Sequence, residues 1–276
     1  MSRLASLLIE DGYGVRAWAL EDAGLAPGVR QTESASECVS GAGCVVLPMP
    51  ACAQRGMLNT PLSRRRHCLG ELFSALEPGA LVCAGQVTEE LRALAAGADV
   101  EVRDYGALES YRAANSAATA EGAVGELLRL TPGLLCGSRV LIIGAGRIAR
   151  ALAPRLAGLG VRVTVESRSA ASRAWAAAMG FAAAAPADLP GVLAGADIVV
   201  NTAPALVLTA SRLTELPDGA IVLDLASKPG GTDFDAARSF GIRALTAPGL
   251  PGKWSPDAAA GAVRDAIYSI MEDEKP

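Results

Sequence analysis

Three groups of residues have the types and spacing to do chemistry. The first is Gly144, Ala145, Gly146, Arg147 and Ile148, with Ala149 at the third small position of a G-x-G-x-x-A run. Glycines at that spacing carry no side chain, so backbone N–H groups can approach a pyrophosphate at a helix N-terminus. The second group, Glu166, Ser167, Arg168 and Ser169, ends the next apolar run. A carboxylate there would grip a ribose 2′-hydroxyl, whereas arginine and serine are donors for a 2′-phosphate. The group favours NADP over NAD, and Glu166 keeps NAD open. The third group is defined by lysine. Only Lys228, Lys253 and Lys275 occur, and the first two stand in glycine- and proline-rich loops. A compact ammonium on a flexible stem suits a carboxylate or a tunable acid.

These groups need elements to hold them. The apolar run 140–143 enters the glycine turn, and further apolar runs at 161–165, 198–200, 221–225 and 242–245 alternate with helical patterns. That alternation predicts a parallel sheet, and strands apolar on both sides predict helices over both faces. The loops after the strands then share one edge. They carry Asn201, Thr202, Ala203 and Pro204, then Ala226, Ser227 and Lys228, then Pro248 and Lys253.

The first part of the chain repeats the rhythm more faintly. Helices are expected at 4–10, 65–76 and 88–96, and strands at 15–20, 44–47 and 81–84. Between 48 and 63 lies a proline-punctuated loop offering Asn59, Thr60 and Ser63. Residues 111–130 read as one long helix ended by Thr131, Pro132 and Gly133. The final helix, 255–271, takes Ser255 as N-cap and Pro256 at its first position. The expected fold class is α/β: a doubly wound parallel sheet of the NAD(P)-binding Rossmann type plus a smaller N-terminal α/β domain. Its boundaries are 1–112 for the substrate-side domain, 113–132 for the interdomain helix and 133–276 for the nucleotide domain with its C-terminal helix.

Composition narrows the function. With 276 residues the chain suits two domains, and a net charge of -4 without a long basic run argues against nucleic acid. Arg64, Arg65 and Arg66 read as a solvated helix face. The alanine-rich stretch 174–200 is broken by Pro186, Asp188, Pro190 and Asp197, which rules it out as a membrane span. The N-terminus shows no export signal, so a cytoplasmic protein is expected. The six cysteines show no C-x-x-C pair, so no metal site is expected, and they read as reduced thiols. The lone histidine, His67, is read as a packing or surface residue.

Five segments in order, LNTPLS from Leu58, TAEGA from Thr119, GAGR from Gly144, NTAP from Asn201 and DLASKPGGTDF from Asp224, resemble the dipicolinate synthase A-subunit family. APGLPGK from Ala247 continues the resemblance. It implies an enzyme that oxidises dihydrodipicolinate, or its hydroxy-tetrahydro precursor, to dipicolinate with NADP. It also implies that the partner is a flavoprotein-like B subunit, with the mother-cell cytoplasm of a sporulating bacterium as setting; a homo-oligomer is expected as well.

Carried onto this chain, residues Gly144 to Ile148 would hold the pyrophosphate, Ser167 to Ser169 the adenosine phosphate, and Asn201 to Pro204, with Ala226 and Pro248, would border the nicotinamide. Asn59, Thr60, Ser63, Ser227, Lys228 and Lys253 would meet a small dicarboxylate. Lys228 and Glu121 are the catalytic candidates, Glu121 as proton acceptor or else a capping carboxylate. Two other readings stand beside this one: a shikimate-dehydrogenase-like NADP oxidoreductase and a nonenzymatic NADP-binding regulatory subunit. One departure matters, since the family opens with a strand and glycine turn where this chain begins in a helix. The native start is therefore expected upstream of Met1, or the first domain is reduced. Trp254 receives no role.

Overall fold

The five apolar runs beyond residue 139 pair as parallel strands, and a sixth strand joins them at one edge. In the computed structural model, which describes residues 1–227 and 229–273, the chain divides into two units, Met1–Ala114 with Pro256–Pro276, and Asn115–Ser255.

In the first unit, α1 (Ser2–Glu10), β1 (Arg16–Ala17), β2 (Arg30–Gln31), α2 (Ala35–Val39) and β3 (Cys44–Val46) lead to a hairpin of β4 (Cys52–Gln54) and β5 (Met57–Leu58). Then follow α3 (Leu69–Ser74), β6 (Leu81–Ala84), α4 (Glu89–Gly97) and β7 (Glu101–Asp104). Strands β3, β6 and β7 form a parallel sheet in that order, and β1 pairs with β2. Leu69, Leu72, Phe73, Val82 and Leu91 fill the core on one side of this sheet. Sequence patterning missed β7 and the hairpin, which interrupts the stretch read as a loop. The hairpin turns at Gly56, whose φ of +70° favours glycine. The arginine cluster precedes α3 rather than lying on it, and Arg64 Nε donates to Asp22 at 2.8 Å.

The helix α5 (Glu109–Leu130) runs from one unit into the other. The second unit continues with β8 (Arg139–Ile143), α6 (Arg147–Gly158), β9 (Arg162–Glu166), α7 (Ala170–Ala178), β10 (Ala182–Ala184), α8 (Leu189–Leu193) and β11 (Ile198–Asn201). It ends with α9 (Ala210–Leu213), β12 (Ile221–Asp224), α10 (Phe234–Ser239), β13 (Arg243–Thr246) and α11 (Leu250–Trp254). The strand order is β10-β9-β8-β11-β12-β13, all parallel.

Successive residues of β8 serve opposite faces. Val140 and Ile142 pack with Ala123 and Leu127 of α5 and Leu152 and Leu156 of α6. Leu141 and Ile143 pack with Leu189 and Leu193 of α8. Both faces are covered, which is why the strands lack polar alternation. The short edge strand β10 was not read from the alanine-rich sequence, because alanine has little strand preference.

The last helix, α12 (Pro256–Asp273), packs on α1 and clusters with the first unit. The sequence reading had placed it in the nucleotide domain. Ala266, Ile267 and Ile270 meet Leu4, Leu81 and Tyr111, and Tyr268 Oη donates to Asp11 at 2.7 Å. The hydrophobic stripe is indifferent to sequence distance, so adjacency in the chain misassigned it.

Candidate nucleotide site

Register places one residue from each of five strands in a line across the carboxyl edge of the large sheet. Glu166 pairs with Ile143, Ile143 with Asn201, Asn201 with Asp224 and Asp224 with Thr246. Chain order reverses between β8 and β11, where parallel α/β sheets hold ligands.

Gly144 leaves β8 with φ +94°. A Cβ there would stand 2.6 Å from Thr202 Oγ1, and that hydroxyl donates to the Ile143 carbonyl at 2.8 Å. The glycine therefore lets the loop after β11 close against the turn. Gly146 is the N-cap of α6, which has no side-chain cap, and a Cβ on it would meet nothing within 4 Å. An uncapped helix start under open space is what a pyrophosphate requires, and the turn from Gly144 to Ile148 leads into that start. Arg150 stiffens the turn, donating from Nε to the Ala145 carbonyl at 3.3 Å and lying over the Trp175 ring.

At the end of β9, Glu166 is buried, and its carboxyl is pushed up by burial against the pull of the Gly144 N–H and of Arg212, Arg168 and Arg173. Arg173 donates to the carbonyls of Ser167 and Arg168 at 2.7 and 3.0 Å, fixing their turn. The Ser167 hydroxyl accepts from the Ser169 N–H, and Ser169 caps α7 through the Ser172 N–H. Arg168 is exposed.

The loops after β11 and β12 are joined internally. Asn201 is fully buried, and its amide nitrogen donates to the Ala203 carbonyl and to Asp224 while its oxygen accepts from the Ala203 N–H. Its carboxamide is thus bonded within the protein, so Asn201 would border the nicotinamide through its loop rather than its side chain. Thr202 and Ala203 are half-buried, Pro204 is exposed, and beyond β12 Ala226 is half-buried and Ser227 exposed. Lys228 lies outside the described residues.

Two further assignments change. Lys253 pairs with Glu126 of α5, a carboxylate 5% exposed. Arg129 binds the other oxygen at 2.8 Å, and Trp254 Nε1 donates to the first at 3.2 Å. Lys253, Arg129 and Trp254 together hold the Glu126 carboxyl down at about 2. Trp254, which sequence left without a role, lies against Gly125, where a Cβ would come 2.6 Å from its ring. Beside this cluster is a cavity of about 130 Å³ lined by Glu126, Arg129, Leu223, Thr246, Pro248 and Lys253, among others. Glu121 is exposed and pairs with Arg155 at 3.1 Å. Arg155 also donates to the Ala151 carbonyl at 2.8 Å, so Glu121 serves an ion pair between α5 and α6.

In the first unit, Asn59 Nδ2 donates to the Pro50 carbonyl at 2.9 Å, and the Ser63 N–H donates to the Thr60 carbonyl at 3.1 Å. The Ser63 hydroxyl lies 2.9 Å from His67 Nε2. His67 is buried edge-on to Trp18, the packing role expected of it.

Among the described residues no group of three or more His, Cys, Asp or Glu could hold a metal ion, and no helix is long and apolar enough to cross a membrane.

Residues 1–106 match the N-terminal domain of the dipicolinate synthase A-subunit, and residues 107–227 match the NAD binding domain of D-isomer specific 2-hydroxyacid dehydrogenases. The dipicolinate synthase A-subunit of Bacillus subtilis strain 168 is 30% identical over 230 residues, covering 83% of this chain and 77% of the relative. The crystal structure of the dipicolinate synthase A-subunit from Bacillus halodurans superposes with a TM-score of 0.87 at 27% identity, covering 100% of this chain and 94% of that one. The corresponding structure from Bacillus subtilis gives 0.83 at 26% identity, with 98% and 92% covered. The resemblance in short segments thus extends through both units, and the chain belongs to the dipicolinate synthase A-subunit family.

Proposed function

We propose that the chain is an NADP-dependent dehydrogenase that oxidises dihydrodipicolinate, or its hydroxy-tetrahydro precursor, to dipicolinate. The observation that carries this reading is the uncapped start of α6 beneath open space at Gly146, on the sheet edge that also bears the Arg168 turn, in a chain of this family. NADP rather than NAD is proposed because Glu166 is buried while Arg168 is exposed and Ser167 and Ser169 flank it.

When bound, the nicotinamide would accept a hydride from a ring carbon of the substrate. One proton is released with that hydride, and water also leaves if the hydroxy form is the substrate. The chain's own task is positioning. Backbone N–H groups of residues 144–148 hold the pyrophosphate, and Asn201 and Thr202 shape the loop beside the nicotinamide without offering it their side chains. Ser227 and Lys228 are the proposed contacts for the substrate carboxylates. Water takes the proton rather than Glu121, which is paired with Arg155. The same reading includes a B subunit partner, a homo-oligomer and the cytoplasm of the mother cell.

The test mixes the purified chain with dihydrodipicolinate synthase, its two substrates and NADP, with and without the B subunit. NADPH is followed by absorbance and dipicolinate by mass. Dipicolinate with stoichiometric NADPH supports the proposal, and product only with the B subunit makes that partner obligatory. No product in either mixture refutes it and favours a nonenzymatic nucleotide-binding subunit.

A further inference from the structure

Asp224 ends β12 with its side chain 2% exposed, yet sequence reading gave it no role. Its Oδ1 accepts from Asn201 Nδ2 and from the Ala226 N–H, both at 2.9 Å, and its Oδ2 accepts from the Gly231 N–H at 2.9 Å. Those two N–H groups stand near the two ends of the loop after β12, so one carboxylate pins both ends of a segment that contains Ser227. Through Asn201 the same carboxylate reaches the loop after β11, and the Asp224 carbonyl accepts from the Ala247 N–H at 3.1 Å in the loop after β13.

The arrangement leaves no slack. A Cβ on Gly231 would lie 2.2 Å from Asn201 Nδ2 and within 2.9 Å of the carbonyls of Ala203 and Ala205. The Gly231 carbonyl in turn accepts from Val207 and Leu208 at 3.0 and 2.8 Å. By contrast, the Ser167 to Ser169 turn after β9 takes no hydrogen bond from this cluster among the described residues, and the glycine turn after β8 meets it only through Thr202, which donates to the Ile143 carbonyl at 2.8 Å.

We infer that Asp224 is a positioning residue for the nicotinamide half of the dinucleotide, holding the loops after β11 and β12 in one register, while the adenosine half binds independently of it. The inference rests on the cofactor reading proposed above. Among the described residues this buried carboxylate accepts only neutral donors, and replacing one oxygen by an NH2 group opposes donor to donor.

The test compares Asp224→Asn with the wild type by calorimetric titration of NADPH and of 2′,5′-ADP, with NADH and ADP-ribose as parallel arms. The expected result is a loss of about tenfold in affinity for the preferred dinucleotide, equivalent to about 1.4 kcal/mol, with its adenosine fragment bound as in the wild type. Equal losses for fragment and dinucleotide, or none for either, overturn the inference. A wild type that prefers NADH refutes the NADP reading alone, because the NADH and ADP-ribose arms still test Asp224. Should the variant not fold, amide exchange in the wild type decides. The Ala226 and Gly231 amides should be protected at least about a hundredfold over free-peptide rates, and exchange at free-peptide rates refutes the clamp.

Discussion

Replacing Gly144 and Gly146 separately by alanine should separate what the turn needs for folding from what it needs for binding. At Gly144 a side chain must adopt φ +94° and bring its Cβ 2.6 Å from Thr202 Oγ1. A non-glycine residue in that backbone region costs about 1–3 kcal/mol. The overlap adds about 1–3 kcal/mol, because Thr202 is held by its bond to the Ile143 carbonyl and gives way only by breaking it. Together these amount to about 2–6 kcal/mol, or a fall in Tm of roughly 5–20 °C. Gly146 differs: its φ is -75° and its Cβ direction is open. Gly146→Ala should cost less than about 1 kcal/mol of stability, the difference between the two residues at an N-cap. It should nevertheless weaken NADPH binding at least about tenfold, since the methyl enters the space over the helix start. Thermal unfolding and NADPH fluorescence titration on both variants measure this. A Gly144→Ala protein that melts with the wild type, or a Gly146→Ala protein that binds NADPH as well as the wild type, would refute the reasoning.

Three other predictions concern charge and packing. Glu126 is held from about 4.5 down to about 2 by Lys253, Arg129 and Trp254; a depressed carboxyl contributes stability that is complete above the ordinary value and lost as pH falls through the depressed one. Denaturant unfolding of Glu126→Gln should show a loss of about 1–3 kcal/mol at pH 7 and a smaller decline than the wild type between about pH 4.5 and 2. Gly125→Ala puts a methyl into the Trp254 ring, so helix preference gains about 1 kcal/mol but overpacking costs about 1–3 kcal/mol. A red-shifted Trp254 emission and a Tm at or below that of the wild type are expected, and an unshifted spectrum speaks against the contact. Burial raises the Glu166 carboxyl, so its destabilising effect is absent below the ordinary carboxylate value and complete above the raised one. Ionisation as pH rises also adds negative charge beside the Arg168 turn. NADPH affinity in the wild type should therefore fall through that range, and Glu166→Gln should remove the fall; a variant with the same pH profile as the wild type excludes the effect.

Much of the second unit was legible because its signals are local. The apolar run before Gly144, the glycine spacing and the alternation of strands with helices depend on backbone sterics and hydrophobic period, which neighbouring residues dictate. The strands at 140–143, 161–165, 198–200, 221–225 and 242–245 all appear within a residue or so of those positions. The hairpin at Cys52–Gln54 and Met57–Leu58, strand β7 and strand β10 were not legible, since two to four residues carry too little pattern.

Side-chain partners were the other limit. Composition singled out Lys253 as a loop cation, but only the fold brings Glu126, 127 residues away, to claim it. Glu121 was a carboxylate on a helix until α6 supplied Arg155. Asn201 read as a neighbour of the nicotinamide and Asp224 as nothing, yet strand register sets them side by side, buried and bonded to each other. Local sequence determined which backbone segments could bend, extend or bind phosphate. Which polar groups remain free for a ligand was decided by tertiary structure, because a buried donor or acceptor must find a partner and the fold determines which partners come within reach.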